Sequence, residues 1–340
     1  KNATNGMLRN ASRWHTLFLL LVIGLSCLLS LRSLRVFPNF SATDEAIIFD
    51  YVDTLKQTGS IEPRLNPYQS PILNGNLYIY AAAAWTELFP NDPFALRYLS
   101  ALGGFVLLAV VYGVACQLGS TTTALTATAL MAINLLWTAV SHIGRQDIWL
   151  AVFVWLAVGL ALAGQRRRAQ GLALLAGLVV ALSTDVHPFG VLACMALGGW
   201  WLTRWYRQSV SAALVRSFVV GGLLGTIYYA VVHLLPDPAA FAAAVQRELF
   251  SNGAEGGSAL AAMLQRHVNY LASNPLEIGL LIFCAFKAAR DRHAQGIGIF
   301  VLILVGLYAV LVADPNPYYP IVWFTGLVIL SAITISMISN

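Results

Sequence analysis

Apolar runs of roughly 17 to 25 residues recur from one end of this chain to the other, and they leave few folds open. An α-helix needs that length to cross about 30 Å of hydrocarbon, whereas a membrane β-barrel reads as segments of about ten alternating residues. The 340 residues are 58% apolar and 10% charged, where soluble domains carry about 25% charge. The sequence therefore predicts an all-α, polytopic membrane bundle forming one integral-membrane domain over residues 1–340. Cys27, Cys116, Cys194 and Cys284 all lie inside apolar runs, which suggests neither a disulfide framework nor a metal site. The net charge of +5 reads as basic loops on the cytoplasmic face and not as a nucleic-acid surface. The run at 17–31 lacks a small-residue cleavage site and is followed by further spans, so it reads as a retained helix. The chain starts at Lys1 without an initiator Met, which implies residues upstream.

Candidate spans are 14–36, 72–89, 94–118, 121–142, 148–164, 170–185, 188–203, 213–235, 276–290, 296–313 and 319–338. The segment at 72–89 is short and carries Asn74, Gly75, Asn76 and Glu87. Charge decides whether it crosses. If it does not, the basic clusters around Arg9 and Arg13, at 166–168, at Arg204, Arg207 and Arg216, and at Lys287, Arg290 and Arg292 all share the inner face. That face then holds 12 basic residues and one acidic residue, against 8 basic and 14 acidic outside, as the positive-inside rule requires. Ten crossings follow. The segment at 72–89 becomes an interfacial helix in a first extracytoplasmic loop, 37–93, which holds a second such helix near 43–55. A second extracytoplasmic loop covers 236–275, and the whole implies a cytoplasmic-type inner membrane.

Ionisable groups avoid the middles of the spans and gather at their outer ends. A charge at the bilayer centre costs at least about 2.5–3.5 kcal/mol, so a proton relay would leave conspicuous buried charges. The stretch FSATDEAIIFD, 40–50, sets Asp44 and Glu45 side by side at a helix start. There they complement the helix dipole or serve as a general base. In HIGRQDIWL, 142–150, Arg145 and Asp147 suit either a structural ion pair or an anionic ligand held by the guanidinium fork, with Asp147 orienting a substrate or a metal. His187 in STDVHPF and Arg266 with His267 in LQRHVNY are interfacial anchors or phosphate-binding groups. Carboxylates in an open geometry suit Mg²⁺ or Mn²⁺ as well as an acceptor, and no other cofactor is implied.

Taken in order, the Asp-Glu pair after the first span, the two juxtamembrane helices, the run LYIYAAAAWTELFPNDPFALRYLSALGG and the Arg-x-Asp before the fourth span resemble the GT-C fold glycosyltransferases. Within them the similarity is to protein O-mannosyltransferases and lipid A aminoarabinose transferases. The resemblance implies transfer of a sugar, with inversion, from a polyprenyl-phosphate donor to a protein, lipid or glycan acceptor on the extracytoplasmic face. It makes Asp44, beside Glu45, the catalytic carboxylate, and puts Arg145, Asp147, His187, Arg266 and His267 around the lipid phosphate. The chain departs from the family pattern at His187 and at DPNPYYP, where lysines often stand, and at Ser70 before Pro71, where a basic residue often stands. Two other functions remain open at this stage: a non-catalytic scaffold in a larger membrane complex, and a lipid or sugar transporter. Absent inverted repeats and midplane charge weigh against the transporter.

Overall fold

The structure is a computed structural model that describes residues 2–35, 43–61, 75–89, 92, 94–246, 295–311 and 319–338, with isolated positions between 265 and 286. Among the described residues every regular element is helical: α1 Asn2–Ser33, α2 Thr43–Thr58, α3 Asn76–Thr86, α4 Ala95–Leu118, α5 Thr121–Ala132, α6 Leu135–His142, α7 Asp147–Arg167, α8 Gln170–Val186, α9 Gly190–Tyr206, α10 Ala212–Tyr229, a π-helical turn Ala230–Leu234, α11 Pro238–Gln246, α12 Gln295–Leu311 and α13 Ile321–Ile338. Arg13–Ser33, Ala95–Leu118, Asp147–Arg167 and Ala212–Leu234 are long and apolar enough to cross a membrane, and the apolar helices α8, α12 and α13 are shorter. Large apolar side chains such as Leu17, Phe18 and Leu21 on α1, and Leu223, Leu224 and Ile227 on α10, face outward. A soluble protein would bury such stripes; a bilayer covers them.

The bundle has two chemically different ends. At one, Arg166 Nη1 donates to Gln117 O at 2.9 Å and Gln165 Nε2 to Ser209 O at 3.2 Å. Thr123 there meets Ser336, and the start of α12 lies against Arg204. This is the basic end. The other, polar end collects the C-terminus of α1, the starts of α4, α7, α9 and α13, and the ends of α6, α8 and α10. Nine passes between the two ends are described, and the remaining candidate span, 276–290, lies mostly outside the described residues. Helix α3, 11 residues and thus about 16 Å long, begins against Asp185 and ends where Trp85 Nε1 donates to Ala95 O at 2.9 Å. Both of its ends sit at the polar end, so it does not cross.

One expectation needs correction. The span read at 121–142 is two helices, α5 and α6, meeting at 62°. Asn134 accepts from the Trp137 amide and caps α6, so its side chain starts a new helix where hydropathy alone continues the old one. Ser120 opens α5 with a reciprocal capping box to Thr123.

Small residues set the tightest helix pair. A Cβ at Gly221 of α10 would lie 1.9 Å from Leu174 O, one at Gly177 of α8 2.0 Å from Phe218 O, and one at Gly225 2.5 Å from Ala181 Cβ. In lipid, helices associate through such close packing, because hydrocarbon supplies no hydrophobic drive between them. Gly221→Leu is expected to lower the thermal unfolding midpoint in detergent by the equivalent of at least about 1–3 kcal/mol, whereas Gly198→Leu, at a site with open space, leaves it unchanged.

Candidate active site at the polar end

The first turn of α2 is pinned by a buried ion pair. Glu45 Oε1 and Oε2 take Arg97 Nε and Nη2, each at 2.8 Å, and both side chains are fully buried. Arg97 Nη1 also donates to Leu34 O at 3.1 Å, and the Gly144 amide donates to Glu45 Oε1 at 3.0 Å. A Cβ at Gly144 would lie 2.7 Å from Leu96 Cβ and 2.8 Å from Glu45 Oε1, so only glycine lets the α6–α7 turn approach. The carboxylate therefore ties α1, α2, α4 and the α6–α7 turn together. Both of its oxygens are engaged by the guanidinium, which makes Glu45 an anchor of this helix start.

One residue past Gly144 the chemistry becomes polar and enclosed. Arg145 Nε donates to Asp147 Oδ2 at 2.8 Å, and Ser100 Oγ holds Arg145 O at 3.1 Å. Asp147 stands in the first turn of α7, where the helix dipole favours its charge, and its Oδ1 is buried without a hydrogen-bond partner. Tyr78 of α3 is buried beside Ser100; burial pushes its phenol well above the usual range, and the charges of Asp147 and Glu45 add to the rise. His187, in the turn between α8 and α9, is buried against Phe189 and Tyr319, with ring centroids 4.9 and 5.2 Å away. The Phe189 amide donates to its Nδ1 at 3.2 Å, which puts the ring proton on Nε2. Burial pulls the imidazole down to about 4, with Asp147 opposing and Arg145 adding to the shift. His187 is thus a neutral hydrogen-bond donor at neutral pH.

A second polar knot lies alongside. Asp185, at the end of α8, is fully buried and accepts from the Asn76 amide at 3.1 Å, Tyr228 Oη at 2.9 Å and His233 Nε2 at 2.6 Å.

This architecture has counterparts among known proteins. Residues 75–227 match a family model described as dolichyl-phosphate-mannose-protein mannosyltransferase. ArnT from Cupriavidus metallidurans, solved with undecaprenyl phosphate bound, superimposes with a TM-score of 0.70 at 17% identity over 94% of this chain and 60% of that one. The chain has the GT-C fold. The Archaeoglobus fulgidus oligosaccharyltransferase AglB, solved with an inhibitory peptide and a dolichol-phosphate, aligns more distantly, with a TM-score of 0.58 at 13% identity over 97% of this chain and 51% of that one. The chain thus spans about 60% and about half of these two proteins. No curated protein matches it in sequence.

Within the GT-C fold, the sequence-predicted residues divide clearly. Arg145 and Asp147 are paired directly, and His187 lies within range of both charges. Glu45 lies next to them through Gly144. Asp44 belongs to the first turn of α2, immediately before the residue that contacts Gly144, while its side chain lies outside the described residues. Arg266 and His267 also lie outside them. Arg97, Tyr78, Ser100 and His233 were not among the predicted site residues. Arg97 was visible only as a charge at a span end, and the other three carried no local signal. For a divalent cation the described donors fit poorly: Glu45 is consumed by Arg97, Asp147 offers one oxygen, and among the described residues no three His, Cys, Asp or Glu side chains cluster.

Proposed function

We propose that the protein is an inverting glycosyltransferase, moving a sugar from a polyprenyl-phosphate donor to a hydroxyl acceptor at the extracytoplasmic face of the membrane. The observation that carries this reading is the enclosed Arg145–Asp147 pair, set one residue from the point where the acidic first turn of α2 docks. The basic end opposite fits the positive-inside rule with the polar end outward. In the reaction, the acceptor oxygen attacks the anomeric carbon and passes its proton to Asp44. The bond from that carbon to the phosphate oxygen breaks, and its electron pair leaves with the polyprenyl phosphate. Arg145 meets the developing negative charge, oriented by its bond to Asp147; His187 offers an Nε2–H but no charge. The match to the mannosyltransferase family model supports a mannosyl donor. A site closed by protein on this side lets charge act at low dielectric, where it is worth most.

The test is the purified protein in liposomes with radiolabelled polyprenyl-phosphate mannose and Ser/Thr-rich peptide or lipid-glycan acceptors. The expected product carries an anomeric configuration opposite to the donor's, and Arg145→Ala loses about 10²–10³ in turnover. Label that merely changes leaflet, product of retained configuration, or fixed co-purification with another membrane protein and no turnover would each overturn the reading.

A further inference from the structure

We infer that Asp185 and His233 form a clamp that positions Tyr78 and His187 around the Arg145–Asp147 pair, and that ties the chain entering the second outer loop to that site. The inference rests on the glycosyltransferase reading for its functional consequence, but its mechanical content stands on geometry alone. Three chain segments end on one carboxylate. The first is α8 itself, with His187 two residues beyond Asp185. The second is the start of α3, whose Asn76 amide donates to Asp185 Oδ1. The third is the end of α10, whose Tyr228 hydroxyl donates to Oδ2 and whose π-helical continuation delivers His233 to Oδ1.

Local chain geometry shows that this junction is built to close. Gly75 has φ +68 and a Cβ there would fall 2.2 Å from Val186 O, so the backbone of α3 lies directly on the last turn of α8. Two residues later than the clamped amide comes Tyr78, buried beside Ser100 and within electrostatic reach of Arg145 and Asp147. The π-helical turn adds one residue per hydrogen-bonded ring relative to an α-helix, which rotates the following side chains out of the α register. That rotation brings His233 under Asp185, where Tyr229 stacks on its ring at 4.4 Å and 28°. An α-helical continuation would turn the imidazole away. His233 and Asp185 are almost fully buried, so neither can find a substitute partner in water.

Both residues are positioning residues. Neither touches the reacting atoms; each acts by fixing where α3 and the α8–α9 turn stand. Removing His233 leaves the carboxylate with the Asn76 amide and Tyr228 alone, and releases the π-helical turn beyond Tyr229 from α8. The site responds through Tyr78 and His187, which flank the place proposed for the donor phosphate, so affinity for the lipid donor suffers more than affinity for the acceptor.

The experiment compares His233→Leu, His233→Gln and Asp185→Asn with the wild type. Gln at 233 keeps an N–H donor near Nε2, whereas Leu fills similar space without one. The donor KM is expected to rise about tenfold in the Leu variant, with the acceptor KM unchanged and the Gln variant restoring most of the donor affinity. In a background lacking the four native cysteines, nitroxides at Ala84→Cys on α3 and Val191→Cys on α9 report the junction directly. Their distance distribution should broaden with Leu at 233 and narrow again with Gln. A donor KM at the wild-type value in correctly folded His233→Leu, an unchanged distance distribution, or a Gln variant as impaired as Leu would each overturn the clamp. If the wild type shows no transfer, the glycosyltransferase reading fails, while the distance measurement still decides the clamp.

Discussion

Glu45→Ala is expected to destabilise the protein by about 3–5 kcal/mol, the largest stability loss of any single substitution at the polar end. The reason is what it leaves behind. Arg97 is fully buried, and the substitution removes the carboxylate that receives its Nε and Nη2. Breaking one side of a buried pair strands a charge at low dielectric, whereas replacing both sides with apolar residues removes the cost. Glu45→Leu combined with Arg97→Met should therefore recover most of the loss. Denaturation in mixed micelles checks both variants. A double variant no more stable than Glu45→Ala alone would show that the pair stabilises by more than mutual charge compensation. The four-way tie among α1, α2, α4 and the α6–α7 turn would then be the larger contribution.

The expected pattern follows from how the same residues position the site. A bidentate guanidinium and carboxylate fix two planes relative to one another, so α2 has one allowed rotation about its axis where it meets α4. The Gly144 amide extends that constraint to the turn that carries Arg145 and Asp147. The acidic helix start and the cationic turn are consequently held together by one buried ion pair.

How much of this was legible in the sequence follows from the range of each interaction. Helices that cross lipid must satisfy their own backbone, so their existence can be read locally from length and hydropathy. The non-crossing character of α3 was legible too, because charge placement is a property of whole loops, and both of its ends do lie at the polar end. The break between α5 and α6 was not read, although Asn134 signals it, because apolar residues continue on either side. Glu45 looked like a partner for Asp44 because they are adjacent, yet its partner is Arg97, 52 positions away. The Asp185–His233 pair, 48 positions apart and dependent on a π-helical turn, has no local signature either. Arg145 and Asp147 were legible because both ends of that pair lie in one short turn.

Asp44→Asn is expected to lower turnover by about 10²–10⁴ while leaving the folded protein as stable as the wild type. The contrast with Glu45 is the substance of this expectation. Two adjacent carboxylates open α2, where a helix separates neighbouring residues by about 100°. Glu45 points into the bundle, where Arg97 and the Gly144 amide occupy it. A base must offer an oxygen to the attacking hydroxyl, and both oxygens of Glu45 already accept from Arg97. If Asp44 is the proton acceptor and Arg145 meets the phosphate, as proposed, the amide variant binds lipid donor with unchanged affinity and the loss falls on kcat. Glu45→Ala shows the reverse, with stability lost first and activity following the fraction folded. Paired measurements of kcat, donor binding and unfolding in the two variants separate the roles. An Asp44→Asn protein with full turnover, or one whose defect is entirely in stability, would remove Asp44 from the reaction and reopen the choice of base.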